Sequence, residues 1–207
     1  MKEDQKIKGF QKFLYLFAKN VTFLLFKTFW RLEIIGKENV PLSGGALLAS
    51  NHVSYADPPL VAASVDRFIH FFAKEELFHM PIIGWFISQV NAFPVKRFEH
   101  DIGAFKKAQK LLTQGEAVVL FPEGRRSKTG ELGKAKAGVG MLSLKTGVPV
   151  VPIYISNSYK IFSFKKIKVF IGKPIKAPEV ENQKLYYQSF SEEVLNSIAE
   201  LKSKMML

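Results

Sequence analysis

The chain contains no cysteine, which excludes disulfide bonds, zinc sites built on thiolates and any reaction through an acyl-cysteine intermediate. The four histidines show no H-E-x-x-H or related spacing, so no metal site is expected. A G-x-S-x-G nucleophile elbow and a P-loop are also missing, which argues against a serine hydrolase and a P-loop nucleotide enzyme. The sequence therefore predicts chemistry that needs no metal or other cofactor, in a reducing compartment.

Long linkers, internal repeats and low-complexity tracts are absent as well, so we expect one α/β domain over residues 31–207, preceded by a separate N-terminal segment, residues 1–30. Acidic residues are few. The 30 Lys and Arg against 18 Asp and Glu give a net charge of +12. Such a surface attracts anionic partners: an acidic membrane, a nucleic acid, a phosphorylated substrate or an acidic carrier protein.

The N-terminal segment is the most aromatic part of the chain. Residues 10–30 contain six of the 19 phenylalanines and are interrupted by Lys12, Lys19 and Lys27. The longest uncharged stretch is far short of the roughly 20 apolar residues that span a bilayer, and no small-residue cleavage site marks a secretory signal. We expect two short helices meeting near Asn20 that lie in a membrane interface, with the lysines reaching lipid headgroups. A helix packed in the core is the alternative.

The rest of the chain alternates between short apolar runs and helical patterns. Strands are predicted at residues 31–35, 46–50, 68–73, 92–96, 117–121, 150–155 and 167–171. Helices are predicted at residues 58–65, 81–89, 99–114, 136–146 and 188–204. This order indicates an α/β fold with a mostly parallel central sheet flanked by helices. Active sites of such sheets gather at the carboxyl ends of the strands.

His52 and Asp57 follow one of the predicted strands. An imidazole can act as a general base near neutral pH, and an aspartate can fix its tautomer and stabilise the imidazolium that forms. On a straight helix, residues five apart point about 140° away from each other. Because Asp57-Pro58 is typical of a helix N-cap followed by a first-turn proline, the loop before it can fold His52 back toward Asp57.

Positive charges recur at the ends of the other predicted strands. Arg97 follows one strand, Arg125 and Arg126 follow another, and Lys136 opens the next helix. Guanidinium groups match the oxygens of a phosphate, and Glu123 could accept a substrate hydroxyl or hold an arginine. A solvated basic surface would explain any one of these cations. Together they predict a phosphate site in the same cleft as His52.

Four sequence blocks carry a resemblance to a known family. They are Asn51 to Asp57 (N-H-x4-D), Asn91 to Arg97 (NAFPVKR), Phe121 to Ser127 (F-P-E-G-x-R-S) and Val148 to Pro152. In this order they resemble the glycerolipid acyltransferases typified by 1-acylglycerol-3-phosphate acyltransferase, over roughly residues 31 to 155. Asn91 stands where that family has glycine, and asparagine tolerates a left-handed backbone better than most residues.

The resemblance implies that an acyl group passes from acyl-CoA or acyl carrier protein to the free hydroxyl of 1-acyl-glycerol-3-phosphate, giving phosphatidic acid. His52 and Asp57 would be the catalytic pair. The implied substrate-binding residues are Arg97, Glu123, Gly124, Arg126, Ser127 and Lys136. The partners would be a lysophospholipid, the thioester donor and an anionic membrane surface at the cytoplasmic face, which the protein would bind as a peripheral or monotopic enzyme.

Three alternatives remain open. The same chemistry could act on glycerol 3-phosphate, another lysophospholipid or an aminoacyl lipid. A non-catalytic lipid-binding or membrane-remodelling protein would not need the His52–Asp57 pair. A nucleic-acid binder would explain the charge, but the aromatic residues concentrate in an apolar segment instead of a basic strand face, so we expect no nucleic-acid partner.

Overall fold

Seven short apolar runs form one sheet in the computed structural model, which describes residues 9–96 and 101–204. The strands are β1 (Glu33–Ile35), β2 (Ala46–Ser50), β3 (Ile69–Lys74), β4 (Ala92–Val95), β5 (Ala117–Leu120), β6 (Val150–Ile155) and β7 (Lys168–Ile171). Their order across the sheet is β1-β7-β6-β2-β5-β3-β4. The five adjacent strands β6, β2, β5, β3 and β4 are all parallel to one another. Strand β7 runs antiparallel to β6 and pairs with β1 in parallel. The predicted mostly parallel α/β sheet is confirmed.

Seven α-helices are found in the described ranges. They are α1 (Gly9–Phe29), α2 (Asp57–Ser64), α3 (Glu75–Phe78), α4 (Pro81–Gln89), α5 (Ile102–Thr113), α6 (Gly138–Thr146) and α7 (Tyr187–Lys204). Short 3-10 turns occur at Lys37–Asn39, Ser158–Ser163 and Gln183–Tyr186. All five helices predicted after residue 31 are present, with ends within three residues of the prediction where the structure describes them. The one-turn helix α3 gave too short a pattern to be predicted.

Two hydrophobic cores lie on opposite faces of the sheet. One joins the sheet to α1 and α2 through Tyr15, Leu60 and Val61. The other joins it to α5, α6 and α7, for example through Leu111 and Leu142. The central strands β2 and β6 are buried on both faces, which explains why their sequences are mainly apolar runs and not alternating ones.

Helix α1 corrects the prediction of two helices meeting near Asn20, because it is continuous over 21 residues. One stripe along it faces the domain, where the Tyr15 side chain is 3% exposed and Phe26 and Trp30 pack against the core. The Tyr15 hydroxyl accepts a hydrogen bond from the Ile69 N–H at 3.2 Å. This stripe recurs about every four residues, so packing on the domain keeps one helical face in register across Asn20.

Of the three lysines of α1, Lys19 does not have the predicted outward direction, whereas Lys12 and Lys27 are exposed. The Lys19 ammonium group donates to the Val65 carbonyl, and burial lowers the pKa of Lys19. Lys12 lies 6.0 Å from the centre of the Phe68 ring, and Lys27 donates to the Leu32 carbonyl at 3.4 Å. Lys19 therefore contacts the α/β domain, and large apolar side chains make up most of the exposed face of α1.

Asn91 precedes β4 with φ of 64°. This left-handed conformation is the one that glycine adopts most easily and that asparagine tolerates. The substitution of asparagine for the usual glycine of the family therefore keeps the turn into the fourth strand.

Candidate active site

Strand ends bring the two main sequence blocks together. Strand β2 lies between β5 and β6, so the segments that follow these three strands meet at the carboxyl edge of the sheet. The Asn51 side chain joins two of them, since its Nδ2 donates to the Ile155 carbonyl at 3.0 Å and its Oδ1 accepts from the Ile155 N–H at 2.7 Å. This clamp fixes the backbone immediately before His52.

His52 and Asp57 form the predicted contact. His52 Nδ1 lies 3.0 Å from Asp57 Oδ2. The same oxygen accepts the N–H groups of Val53 and Ser54, each at 2.7 Å. With a negative carboxylate at Nδ1, the proton is held on that nitrogen and Nε2 is left as the acceptor, as a general base requires.

The role of Asp57 in its helix differs from the prediction. Asp57 is the first residue of α2, and Ala56 occupies the N-cap position without a side-chain hydrogen bond. The Asp57 carboxylate instead accepts the N–H groups of Val53 and Ser54 in the preceding loop. Asp57 thus closes the loop that carries His52 instead of capping the helix.

The imidazole is held from its face as well as its edge. The His52 ring stacks on Phe121, with ring centres 3.9 Å apart and planes inclined by 17°. His52 is 7% exposed and Asp57 is fully buried. A buried ion-pairing partner and a stacked ring restrict the rotamers of the imidazole, so the base is pre-organised.

Glu123 is 5% exposed and both of its carboxylate oxygens bind backbone donors. Oε1 accepts the N–H of His52 at 3.3 Å, and Oε2 accepts the N–H of Gly133 at 2.8 Å. In addition, the Ser127 N–H donates to the His52 carbonyl at 2.8 Å. These contacts favour a role for Glu123 in holding the two site loops together over direct binding of substrate.

Gly124, Ser127 and Lys136 lie in the same loop system. Gly124 has φ of 66°, and a Cβ built on it would lie 2.8 Å from Cδ of Lys136. The absent side chain therefore makes room for the lysine to cross the turn. The Ser127 hydroxyl lies 3.3 Å from that of Thr129, so it shapes the loop. Arg97 falls outside the described residues.

Arg126 packs on a residue that the sequence analysis did not single out. Its guanidinium carbon lies 3.6 Å from the centre of the Tyr55 ring, which is 74% exposed. Stacking on an aromatic face orients the planar guanidinium group while leaving its N–H donors free to bind an anion. Tyr55 lies inside the Asn51–Asp57 block, and its aromatic ring was the sequence feature that could have identified it as a stacking partner for an arginine.

A cavity of about 1070 Å³ opens beside the imidazole. Its lining includes His52 and Tyr55, and its seven cations include Lys74, Lys96, Arg125 and Lys136. Apolar lining residues come from both faces of the sheet and include Phe72, Phe86, Phe105, Phe121 and Leu142. Arg125, which stands at the variable position of its block, therefore lines the same cavity as His52.

The site geometry agrees with comparisons to known proteins. The Acyltransferase family model matches residues 31–156, which contain every residue of the site described above. The chain belongs to the Acyltransferase family. The predicted family resemblance is thereby confirmed.

Two relatives of the chain are 1-acyl-sn-glycerol-3-phosphate acyltransferases. The chain is 35% identical to the chloroplastic 1-acyl-sn-glycerol-3-phosphate acyltransferase of Arabidopsis thaliana over 80% of its own length and 49% of that protein. It thus spans about half the length of this plant relative. It is 29% identical to the 1-acyl-sn-glycerol-3-phosphate acyltransferase of Bacillus subtilis over 93% of its own length and 98% of the bacterial protein.

A solved structure extends the similarity to the fold. The crystal structure of the 1-acyl-sn-glycerophosphate acyltransferase from Thermotoga maritima superposes with a TM-score of 0.73 at 28% identity, covering 98% of this chain and 84% of that one. The acyltransferase fold therefore extends over nearly the whole sequence.

Proposed function

We propose that this acyltransferase moves a fatty acyl group from the thioester of coenzyme A or acyl carrier protein to the free hydroxyl of 1-acyl-glycerol-3-phosphate, giving phosphatidic acid. The observation that carries the proposal is the buried His52–Asp57 pair at the wall of a large apolar cavity. The Bacillus subtilis and Thermotoga maritima acyltransferases described above are similar to the chain over most of its length. A protein that only binds lipid has no need of an oriented base.

The reaction needs no covalent intermediate on the protein. His52 Nε2 takes the proton of the acceptor hydroxyl as its oxygen attacks the thioester carbonyl carbon. The tetrahedral intermediate collapses with cleavage of the carbon–sulfur bond, and the imidazolium returns the proton to the departing thiolate. Asp57 stabilises the imidazolium between these steps. Holding both substrates beside His52 contributes much of the rate.

Charged residues bind the phosphate of the acceptor, and apolar residues bind the acyl chains. The acceptor phosphate binds to the cations Arg125 and Lys136 of the cavity lining, to Arg126 and to the predicted Arg97. The aromatic walls of the cavity, including Phe72 and Phe105, take the acyl chains. Glu123 and Ser127 position the loops that carry these groups, through the backbone contacts of His52 and Gly133.

One assay tests the proposed function directly. The purified full-length chain is incubated with a panel of lysophospholipids and glycerol 3-phosphate, each with palmitoyl-CoA and palmitoyl carrier protein, and the products are resolved by mass. We expect phosphatidic acid from 1-acyl-glycerol-3-phosphate to form fastest. Faster acylation of another acceptor would move the proposal to that lipid, and no acylation of any acceptor would contradict it.

Replacement of Arg126 by alanine is expected to raise the acceptor KM roughly 10- to 100-fold, since a hydrogen bond to a charged group contributes about 1.5–3 kcal/mol. The donor KM should change little. Arg126→Lys should restore only part of the loss, because an ammonium group cannot make the bidentate contact. Tyr55→Leu should shift the acceptor KM in the same direction by less, because it removes the ring that orients the guanidinium.

Steady-state kinetics with each substrate varied in turn distinguish the assignments. The matched variant Arg125→Lys tests whether Arg125, the neighbour of Arg126, also binds the acceptor phosphate. Equal changes in both KM values for Arg126→Ala would assign this side chain to the donor or to the fold instead.

The acceptor and the product reside in a bilayer, so the enzyme must reach a membrane surface. No helix of the described ranges is long and apolar enough to cross one. The outer face of α1 presents Phe10, Phe13, Phe17 and Leu24, each more than half exposed, and α4 adds Ile82 and Trp85 at 82% and 53%. This apolar surface and the net charge of +12 support peripheral or monotopic binding to anionic lipid at the cytoplasmic face.

Three substitutions on the outer face, Phe13→Ser, Phe17→Ser and Leu24→Ser combined, are expected to weaken binding to anionic vesicles at least 10-fold. Burial of one such side chain contributes about 1.5–3 kcal/mol, so the expected loss exceeds tenfold. Salt should weaken binding of the unmodified chain only in part, because apolar insertion is not screened. Sedimentation with vesicles measures both effects.

The design of that experiment follows from the packing of α1. Deleting residues 1–30 would also remove Tyr15 and Trp30 from the core, so a loss of binding could not be separated from unfolding. The exposed Leu42→Ser, before β2 at the opposite edge of the sheet, is the control and should bind as the unmodified chain does. Unchanged binding by the triple variant would place the membrane contact elsewhere, first on α4.

A further inference from the structure

A basic and aromatic loop follows β6 at the same edge of the sheet as His52. Residues 158–166 read Ser-Tyr-Lys-Ile-Phe-Ser-Phe-Lys-Lys and contain no acidic residue. Phe162 is 88% exposed and Phe164 is 51% exposed. Two phenylalanines directed away from the core beside three lysines match the composition of segments that enter the headgroup region of an anionic bilayer.

The loop has a fixed shape that keeps Phe162 outward. The Trp30 indole N–H donates to the Ile161 carbonyl at 2.6 Å, and the Trp30 ring stacks on Phe164 with centres 5.1 Å apart. Asn157 Nδ2 donates to the Lys166 carbonyl at 2.8 Å across the base of the loop. Phe164 has φ of 50°, a left-handed conformation that is unfavourable for a bulky residue and persists only where neighbouring contacts maintain it.

Trp30 also makes the loop continuous with α1. It directly follows Phe29, the last residue of that helix, whose side chain is 54% exposed. The rings of Phe29 and Trp30 lie 6.1 Å apart. Contacting aromatic rings therefore connect the end of α1 through Trp30 to Phe164, two residues after Phe162.

We propose that residues 158–166 are a second membrane-contact site, in which Phe162 enters the headgroup region of an anionic bilayer while Lys160 and Lys165 bind lipid phosphates. The inference rests on the membrane binding proposed above and adds a surface on a different element. The bilayer is the occupant that matches both properties of the loop, because its anionic headgroups complement the lysines and its interior accepts the phenylalanine ring.

Residues 158–166 contact the phosphate-binding loop, which is the loop between Arg126 and Lys136. The Tyr159 hydroxyl donates to the Lys128 carbonyl at 2.5 Å. Its ring packs on Gly130, where an added Cβ would lie 3.3 Å from Tyr159 Cδ1. Lys128 and Gly130 belong to the loop between Arg126 and Lys136. Lipid contact by residues 158–166 therefore holds the phosphate-binding loop close to the surface from which the acceptor comes.

The absence of cysteine allows a direct test with single labelled sites. Phe162→Cys, Phe17→Cys and the control Leu42→Cys are each labelled with an environment-sensitive nitrobenzoxadiazole group and mixed with vesicles of phosphatidylcholine and phosphatidylglycerol. We expect a blue shift and quenching by nitroxide-bearing lipids at positions 162 and 17, and neither at position 42.

The two proposals fail in different ways. A label at 162 that stays in water while the label at 17 enters the bilayer would overturn this inference and leave the docking of α1 intact. Labels at both positions that stay in water would overturn membrane docking itself.

A second variant avoids the label. Phe162→Ser should weaken binding to the same vesicles about 10-fold relative to Leu42→Ser, with the melting temperature unchanged because the side chain is exposed. Turnover of a short-chain, water-soluble acceptor should stay normal. Equal vesicle affinity of the two variants would contradict the inference.

Discussion

Replacement of His52 by alanine is expected to lower turnover by at least about 10²- to 10⁴-fold, the contribution typical of a general base. The fold should survive the change. Asp57 keeps the N–H groups of Val53 and Ser54 without the imidazole, and Asn51 keeps its clamp to Ile155. The variant loses the hydrogen bond from the imidazole to Asp57, the stacking contact with Phe121 and the proton acceptor.

The measurement is kcat with both substrates saturating, together with the melting temperature of the variant. His79→Ala is the matched control, since His79 is exposed after α3 and has no part in the proposed mechanism. It should turn over normally. A folded His52→Ala protein with near-normal kcat would show that the proton of the acceptor hydroxyl goes to another group.

Much of the fold was predictable because the residues of each strand are themselves enough to mark it in the sequence. Most strands are short, mainly apolar runs closed by a polar or glycine-containing segment, and the predicted ends agree with the structure within two residues. The position of the site followed from the same pattern, because His52 and Glu123 each come just after a parallel strand. The confirmed His52–Asp57 contact needed only a loop short enough to turn back.

The features that were not predictable depend on contacts distant in sequence. The direction of Lys19 is set by the Val65 carbonyl at the end of α2, which no helical pattern within residues 9–29 encodes. Glu123 binds the N–H of Gly133, ten residues later, because an irregular loop returns to it. The stacking of Arg126 on Tyr55 joins two separate sequence blocks. Sequence patterns predicted the candidate residues of the site but not the contacts that each side chain makes.

Asparagine at position 57 is expected to reduce kcat nearly as much as the loss of His52, by about 10²- to 10⁴-fold. Oδ2 of Asp57 accepts three groups, whereas Oδ1 is buried without a hydrogen-bond partner among the described residues. An asparagine oxygen can take the place of Oδ2 and keep all three contacts. What the substitution removes is the negative charge that stabilises the imidazolium.

The buried amide also lets the experiment separate catalysis from stability. Its NH₂ group would occupy the buried place of Oδ1, and a buried amide left without an acceptor there would lower the free energy of unfolding by about 1–3 kcal/mol. Chemical denaturation measures this loss, and kcat is then measured at a temperature where the variant is fully folded. Asp66→Asn is the control, because Asp66 makes a surface ion pair with Lys37 at 2.7 Å and is 57% exposed. If folded Asp57→Asn kept near-normal kcat, the aspartate would serve only to hold the loop, and His52 would act as a base without help from a charged partner.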